Sequence, residues 1–158
     1  MKIYLAGPCD TENRTTMVEA AKYIRTFWKE EVYCPWELKI ENAWDYPQEE
    51  WAQMVFDKDV EAINNCDTFI MISVGRKSTA GTNWEQGYAY ALKKPIYVIQ
   101  ITEETTSLMT FCGCDGFFNA DKRNMENVLR AILKDRCNGL ENTKRGWADK
   151  AHCKTTLT

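Results

Sequence analysis

The fold is decided by two consecutive stretches of the chain, TFIMISV at residues 68–74 and TAGTNWEQGYA at residues 79–89. The first is a short apolar run that ends at Gly75, which indicates a buried strand. The second begins with small residues, which indicates a turn that leads into a helix. In an α/β sheet, ligands bind where a strand passes into a helix in this way, so we expect the functional site here.

Glu85 lies near the start of this predicted helix and has two interpretations. The free amides at a helix start carry partial positive charge, so they stabilise an anion placed there. Thr82 and Glu85 also have the spacing of a capping box, in which the threonine and the glutamate bond each other's backbone amides. Glu85 is therefore either part of the helix cap or a reacting carboxylate, and the spacing alone favours the cap.

Length, composition and charge limit the classes of function. The 158 residues fit one domain, and 44% hydrophobic with 27% charged residues is typical of a soluble protein. A formal charge of −3 argues against a broad basic surface for nucleic acid polymers, although one small phosphate is still a possible ligand. No apolar run predicts a signal peptide or a membrane span, so we expect a cytoplasmic protein without a membrane partner.

The cysteines and the single histidine predict no metal site. The seven cysteines are odd in number and form no C-x-x-C pair, which favours free thiols in a reducing compartment. The chain also lacks a dinucleotide fingerprint and a G-K-[ST] phosphate loop. The sequence therefore predicts neither a metal nor a cofactor.

Strands alternate with helices along the chain, which predicts right-handed β-α-β units and a parallel sheet. The predicted strands are residues 3–6, 32–34, 68–74, 96–101 and 117–118; the predicted helices begin at a Thr16–Glu19 capping box, at Pro47, at about 81 and at about 121. The expected fold is a single flavodoxin-like (Rossmann-like) three-layer α/β sandwich with a five-stranded parallel sheet. It would occupy residues 1–137, and residues 138–158 would form a polar tail.

The carboxyl ends of the first, third and fourth strands form the active face of such a sheet. Gly7, the 75–85 segment and Ser107 follow these three strands in the sequence. We therefore expect them to converge on one pocket, although the fold by itself does not choose the chemistry.

Four short motifs occur in order along the first two thirds of the chain. They are Ile3-Tyr4-Leu5-Ala6-Gly7-Pro8, Cys66-Asp67, Gly81-Thr82-x-x-Glu85-x-Gly87-x-Ala89, and Lys94-Pro95. Together they resemble the nucleoside 2-deoxyribosyltransferase family over residues 1–101, and more weakly to about residue 135. Four motifs in order are far more specific than any one of them.

The resemblance implies roles for three residues. In that family, the glutamate that matches Glu85 attacks the anomeric carbon of the sugar, as the nucleophile of a retaining glycosidase does. Asp59 matches the family aspartate that meets charge developing on the leaving base, and Tyr4 matches an aromatic residue that can hold Glu85 by a hydrogen bond. Each residue also has a structural interpretation, Asp59 as a solvated helix residue and Tyr4 as a core aromatic.

Two departures from the transferase pattern point to one branch of the family. Thr79 stands where transferases of free nucleosides carry an aspartate near the sugar 5′ end, and Ser107 matches an asparagine supplied by a neighbouring subunit. Hydroxyls at Ser78 and Thr79 beside free helix amides suit a 5′-phosphate, although hydroxyls are also common in surface turns. We expect Gly7 and Gly81 to line the same substrate site. The chain thus resembles 2′-deoxynucleoside 5′-phosphate N-hydrolases and cytidylate N-glycosidases.

Three functions follow as hypotheses. The first is cleavage of the N-glycosidic bond of a (deoxy)nucleoside 5′-monophosphate, with release of the free nucleobase and the sugar phosphate. The second is transfer of deoxyribose between the bases of free deoxynucleosides, and the third is a nucleotide-binding module in which Glu85 only caps its helix. A residue shared across subunits implies a homodimer or a higher homo-oligomer.

Overall fold

The structure is a computed structural model that describes residues 1–137, with side chains described up to residue 134. Strands and helices alternate through this part of the chain. The strands are β1 Lys2–Ala6, β2 Glu31–Tyr33, β3 Thr68–Ser73, β4 Ile96–Gln100 and β5 Gly116–Asn119. The helices are α1 Arg14–Tyr23, α2 Gln48–Asn65, α3 Ala80–Ala91, α4 Leu108–Cys112 and α5 Met125–Cys137. The predicted tail, 138–158, lies outside the described residues.

The five strands form one parallel sheet in the order β2-β1-β3-β4-β5. This is the flavodoxin-like order, in which the direction of strand addition reverses between β1 and β3. The predicted fold class is therefore confirmed. The register places Tyr4 of β1 opposite Tyr33 of β2 on one side and Phe69 of β3 on the other.

Apolar side chains on both faces of the central strands create the three layers. Every residue of β3 is buried. Because successive side chains of a strand point to opposite faces, Ile70 and Ile72 pack with α1 and α5, whereas Phe69 and Met71 pack with α2 and α3. Burial on both faces explains why β3 reads as a continuous apolar run rather than an alternating one.

The predicted strands match the observed strands to within one residue at each end, but the first predicted capping box is wrong. Helix α1 begins at Arg14, so Thr16 lies inside its first turn. The start is set upstream, where an Asp10 carboxylate oxygen accepts a hydrogen bond from the Asn13 amide at 2.9 Å. The amide of Met17 then donates to the Asn13 carbonyl and closes the first helical turn.

One further boundary and one whole helix differ from the sequence prediction. Helix α5 begins at Met125 rather than near Asp121, because the Asp121 carboxylate accepts from the amides of Arg123 and Asn124 and forms a turn. The chain after the fourth strand contains the short helix α4, which the sequence pattern did not predict.

The loops that follow β3 and β4 are packed against each other at the carboxyl edge of the sheet. Gly75 has a φ of +64°, and a Cβ at this position would lie 2.6 Å from the Cβ of Glu104. The Gln100 side-chain amide donates to the carbonyls of Thr102 and Glu104, and Lys77 forms an ion pair with Glu104 at 3.0 Å. This contact holds the segment that leads into α3. None of the helices within residues 1–137 has the length and apolar character needed to cross a membrane.

Candidate active site

A buried tyrosine on β1 holds Glu85. The Tyr4 hydroxyl donates a hydrogen bond to Glu85 Oε1 at 2.9 Å. The Tyr4 ring is fully buried and stacks on Phe69 at 5.3 Å and on Tyr33 at 5.4 Å between ring centroids. This stack follows from the strand register, and it fixes the direction in which the hydroxyl points. The hydrogen bond that the sequence suggested between Tyr4 and Glu85 is present.

A second tyrosine holds the second carboxylate. The Tyr33 hydroxyl, on β2, donates to Asp59 Oδ1 of α2 at 2.7 Å. Glu85 and Asp59 therefore have the same arrangement, in which one carboxyl oxygen accepts a bond from a tyrosine of the sheet. In the described part of the chain, no donor bonds to Glu85 Oε2 or Asp59 Oδ2. Each carboxylate keeps one oxygen available for a ligand.

Burial raises the pKa of both carboxyl groups. It raises the pKa of Glu85 to about 7, with the negative charge of Asp59 adding to the rise and the Tyr4 hydrogen bond opposing it. Burial also raises the pKa of Asp59, while the Tyr33 hydrogen bond lowers it. Burial and the nearby carboxylates raise the pKa of both Tyr4 and Tyr33, so these hydroxyls remain protonated donors at neutral pH. Interacting acids with such shifts are typical of functional sites.

The start of α3 is capped by Thr79, so the predicted Thr82–Glu85 capping box is wrong. Thr79 Oγ1 accepts from the Thr82 amide at 3.3 Å. The Thr82 hydroxyl instead donates to the Gly7 carbonyl at 3.3 Å, which ties α3 to the end of β1. With the cap three residues earlier than predicted, the Glu85 side chain bonds Tyr4 instead of the helix start. The interpretation of Glu85 as a capping residue is thereby removed.

The remaining predicted residues fall in two places. Ser78, Thr79 and Gly81 lie at the start of α3, where Ser78 Oγ accepts from the Val74 amide at 3.1 Å. Gly7 is buried beside them at the end of β1, and a Cβ there would lie 2.5 Å from Met17 Sδ.

Ser107 lies on a different element. It is the exposed N-cap of α4, and its hydroxyl accepts from the Met109 amide at 3.2 Å. None of the hydrogen bonds described for Ser107 joins it to Glu85 or Asp59. The structure therefore brings Tyr4, Asp59 and Glu85 together, but it does not add Ser107 to them.

Sequence reasoning missed Tyr33 and Gln86. The signal for Tyr33 is its place beside Tyr4 once β1 and β2 are paired in parallel register. The signal for Gln86 is a polar residue on the apolar side of α3; it is buried and donates to the carbonyls of Thr110 and Gly113 at 2.8 and 3.2 Å. Gln86 thus anchors α4 to the helix that carries Glu85.

The described residues contain no group of three or more His, Cys, Asp or Glu side chains that could hold a metal ion. All five cysteines with described side chains are free, and Cys9 is exposed after the end of β1. The Cys9 sulfur is partly buried against the Gly7 carbonyl, which raises the pKa of the thiol, and the charges of Glu85 and Asp59 raise it further.

The buried carboxylate at position 85 predicts a stability cost that depends on pH. Because the folded pKa is about 7 against an ordinary value of 4.5, folding stability falls as pH rises through this interval, by roughly 3 kcal/mol in total. We expect Glu85→Gln to be more stable than the wild type at pH 8, and this advantage to disappear at pH 4. Urea unfolding at both pH values tests this, with Glu126→Gln on the exposed surface of α5 as the control. A constant difference between Glu85→Gln and the wild type would contradict it.

Comparison with known proteins identifies relatives of the whole described fold. The family model for nucleoside 2-deoxyribosyltransferase matches residues 3–128. Among solved structures, a 2-deoxyribosyltransferase from Bacillus psychrosaccharolyticus is 30% identical with a TM-score of 0.67, covering 84% of this chain and 96% of that chain. A search of curated proteins finds no match.

Two more distant structures share the fold. A conserved protein from Enterococcus faecalis V583 is 18% identical with a TM-score of 0.69, covering 86% of this chain and 98% of that chain. The CMP N-glycosidase BcmB of Clostridium botulinum is 16% identical with a TM-score of 0.55, covering 84% of this chain and 99% of that chain. Because the family model covers most of the chain and an enzyme of the same class is 30% identical to it, the protein is an enzyme of the nucleoside 2-deoxyribosyltransferase family.

Proposed function

We propose that the protein cleaves the N-glycosidic bond of a (deoxy)nucleoside 5′-monophosphate and releases the free base and the sugar phosphate. The observation that carries this proposal is the arrangement of Glu85. One of its oxygens is held by Tyr4, the other is free, and a second carboxylate lies close enough to raise its pKa. A retaining glycosidase needs two such groups, a nucleophilic carboxylate and a general acid.

Glu85 is the proposed nucleophile and Asp59 the proposed acid and base. In the first step, a Glu85 oxygen bonds the anomeric carbon, the bond from this carbon to the base nitrogen breaks, and the departing base takes a proton from Asp59. In the second step, water attacks the same carbon, Asp59 takes the water proton, and Glu85 leaves as a carboxylate. Two displacements at one carbon retain its configuration.

The proton on the pair must be on Asp59 for this division of roles, so the reactive form has Glu85 ionised and Asp59 protonated. Burial and the charge of Asp59 favour the proton on Glu85 instead, so the reactive form is reached when the proton moves to Asp59. The Tyr4 hydrogen bond favours the ionised form of Glu85. We therefore expect activity to require a single proton on the pair, which gives a bell-shaped pH profile.

The start of α3 supports a phosphate on the substrate. In the part of the chain that the structure describes, the amides of Ala80 and Gly81 donate to no protein acceptor, so they are available to an anion. The position of Thr79 carries a hydroxyl rather than a carboxylate, and Arg76 is exposed just before it. Lys77 is exposed as well, but it is paired with Glu104. A 5′-phosphate would thus meet hydroxyls, free amides and the positive charge of Arg76.

Base exchange between free deoxynucleosides is the second candidate function. It is favoured by the 30% identity to the Bacillus transferase. The chemistry at Glu85 would be the same, and only the acceptor in the second step would differ, a nucleobase instead of water. We also propose that Ser107, exposed at the start of α4 next to exposed Leu108 and Met109, contributes to the site of a second copy of the chain.

The covalent step predicts a trapped intermediate. With a slow 2-fluoro sugar analogue of the substrate, we expect intact-protein mass spectrometry to show the mass of one sugar phosphate added to the wild type. Glu85→Gln should show no adduct and should lose base release by a factor of about 10³ or more, because it lacks the nucleophile. Glu126→Gln on α5 is the matched control and should keep both. An adduct on Glu85→Gln would remove Glu85 as the nucleophile.

The phosphate site predicts a change of preference from one substitution. Aspartate caps helices as well as threonine, so Thr79→Asp should keep the cap of α3 while its charge repels a 5′-phosphate. We expect kcat/KM for the monophosphate to fall by about 10- to 100-fold relative to the free nucleoside, whereas Thr79→Asn, an uncharged cap of the same size, should change this ratio little. If both variants keep the wild-type ratio, the phosphate is bound elsewhere.

The acceptor is tested by adding a foreign free base. We expect the wild type to release base from a deoxynucleoside 5′-monophosphate at the same rate with and without the foreign base, because water takes the sugar. Chromatography of the products separates the two candidates. A new nucleoside, formed without preference for phosphorylated substrate, would favour the transferase.

A further inference from the structure

Tyr33 forms the same kind of contact with Asp59 that Tyr4 forms with Glu85. The two rings stack at 5.4 Å with 25° between their planes, and each hydroxyl donates to one oxygen of one carboxylate. The distances are 2.7 Å to Asp59 and 2.9 Å to Glu85. The sheet therefore presents a pair of parallel donors to the two carboxylates.

The backbone around Tyr33 is braced, although β2 is a short strand at the edge of the sheet. Arg25 donates from Nη2 to the Val32 carbonyl at 3.0 Å and from Nη1 to Glu37 Oε1 at 2.9 Å. It thus contacts the chain on both sides of Tyr33. A donor on a braced backbone, stacked against a buried ring, loses little freedom when it bonds a carboxylate.

We propose that Tyr33 is a positioning residue of the reaction, which holds Asp59 Oδ1 so that Oδ2 is the oxygen that exchanges a proton with the nucleobase and with water. The inference rests on the proposed function, because it gives Asp59 a partner in the acid and base steps. It adds a residue that none of the matched sequence motifs contains. Tyr33 acts through Asp59 and contacts no reacting atom itself.

Several charged or titratable groups surround the contact between Tyr33 and Asp59. Besides these two residues, they are Tyr4 on β1, Cys9 after β1, Glu61 on α2 and Glu85 on α3. Burial raises the pKa of Asp59, and the hydrogen bond from Tyr33 lowers it. Removing the hydroxyl should therefore strengthen proton binding by the carboxylate pair and move its titration to higher pH.

The test compares Tyr33→Phe with Tyr88→Phe. Tyr88 is a matched control, because its hydroxyl also donates to a side-chain oxygen of α2, Asn64 Oδ1 at 3.0 Å, but the acceptor is a neutral amide. We expect Tyr33→Phe to lower kcat by about 10- to 100-fold with little change in KM, and to move both limbs of the pH profile to higher pH. Tyr88→Phe should leave both unchanged. Equal profiles for the two variants would overturn the inference.

A double-mutant cycle tests whether Tyr33 acts through Asp59. In an Asp59→Ala background, Tyr33→Phe should change kcat by less than about twofold, because the acceptor is already absent. A loss that multiplies with that of Asp59→Ala would overturn the inference. Replacing Tyr33 with 3-fluorotyrosine keeps the ring and strengthens the donor, so the profile should move to lower pH. This variant preserves packing, so it shows the direction of the shift in the pH profile even if Tyr33→Phe folds poorly.

A measurement without substrate separates this inference from the proposed function. Carbon-13 NMR of the Asp59 carboxyl should show a midpoint at higher pH in Tyr33→Phe than in the wild type and in Tyr88→Phe. If the wild type releases no base from any nucleoside or monophosphate, the proposed function fails, whereas the NMR midpoint still reports on the contact. An unchanged midpoint in Tyr33→Phe overturns the role of Tyr33 even in an active enzyme.

Discussion

The hydrogen bond from Tyr4 to Glu85 is the constraint on which the rest of the site depends. It joins the first strand to the sixth residue of α3, and it exists because β1 and β3 are neighbours at the point where the sheet reverses its order. Phe69 and Tyr33 fix the ring from either side. The geometry of the carboxylate is thus set by strand register, which is among the least deformable features of a protein.

This arrangement lowers folding stability at the site where we propose that the reaction occurs. A half-buried carboxylate next to a second one is disfavoured when both are ionised, and a single tyrosine hydroxyl compensates only part of the burial. The loops around it are correspondingly well held. Gln86 anchors α4, Gln100 holds the loop that contains Glu104 to the end of β4, and Lys77 joins that loop to the segment before α3. Rigid surroundings allow an unfavourable group to persist in one conformation.

The sequence was sufficient to predict the sheet, because a strand that is buried on both faces, such as β3, is visible as a continuous apolar run. It also gave Tyr4 and Glu85 as candidate site residues, since they lie in recognisable motifs, and Asp59 as a candidate through the family resemblance. It failed where a choice depends on tertiary contacts. Thr79 and Thr82 are equally good caps by residue type. The Thr82 hydroxyl is engaged by the Gly7 carbonyl, 75 residues away in sequence, and by the Thr79 hydroxyl at 2.9 Å, whereas Thr79 accepts from the Thr82 amide and is the cap. Tyr33 became visible only through register.

The hydroxyl of Thr79 has a double duty, because it caps α3 and also lies where the 5′ end of a substrate is proposed to bind. Good helix caps are restricted to serine, threonine, asparagine and aspartate, with glycine next. Only these few residue types can therefore replace Thr79 without loss of the helix cap, but they include both neutral residues and the anionic aspartate. A protein of this fold can therefore change its substrate preference at this position by a few nucleotide changes, and each residue type along the way can still cap α3.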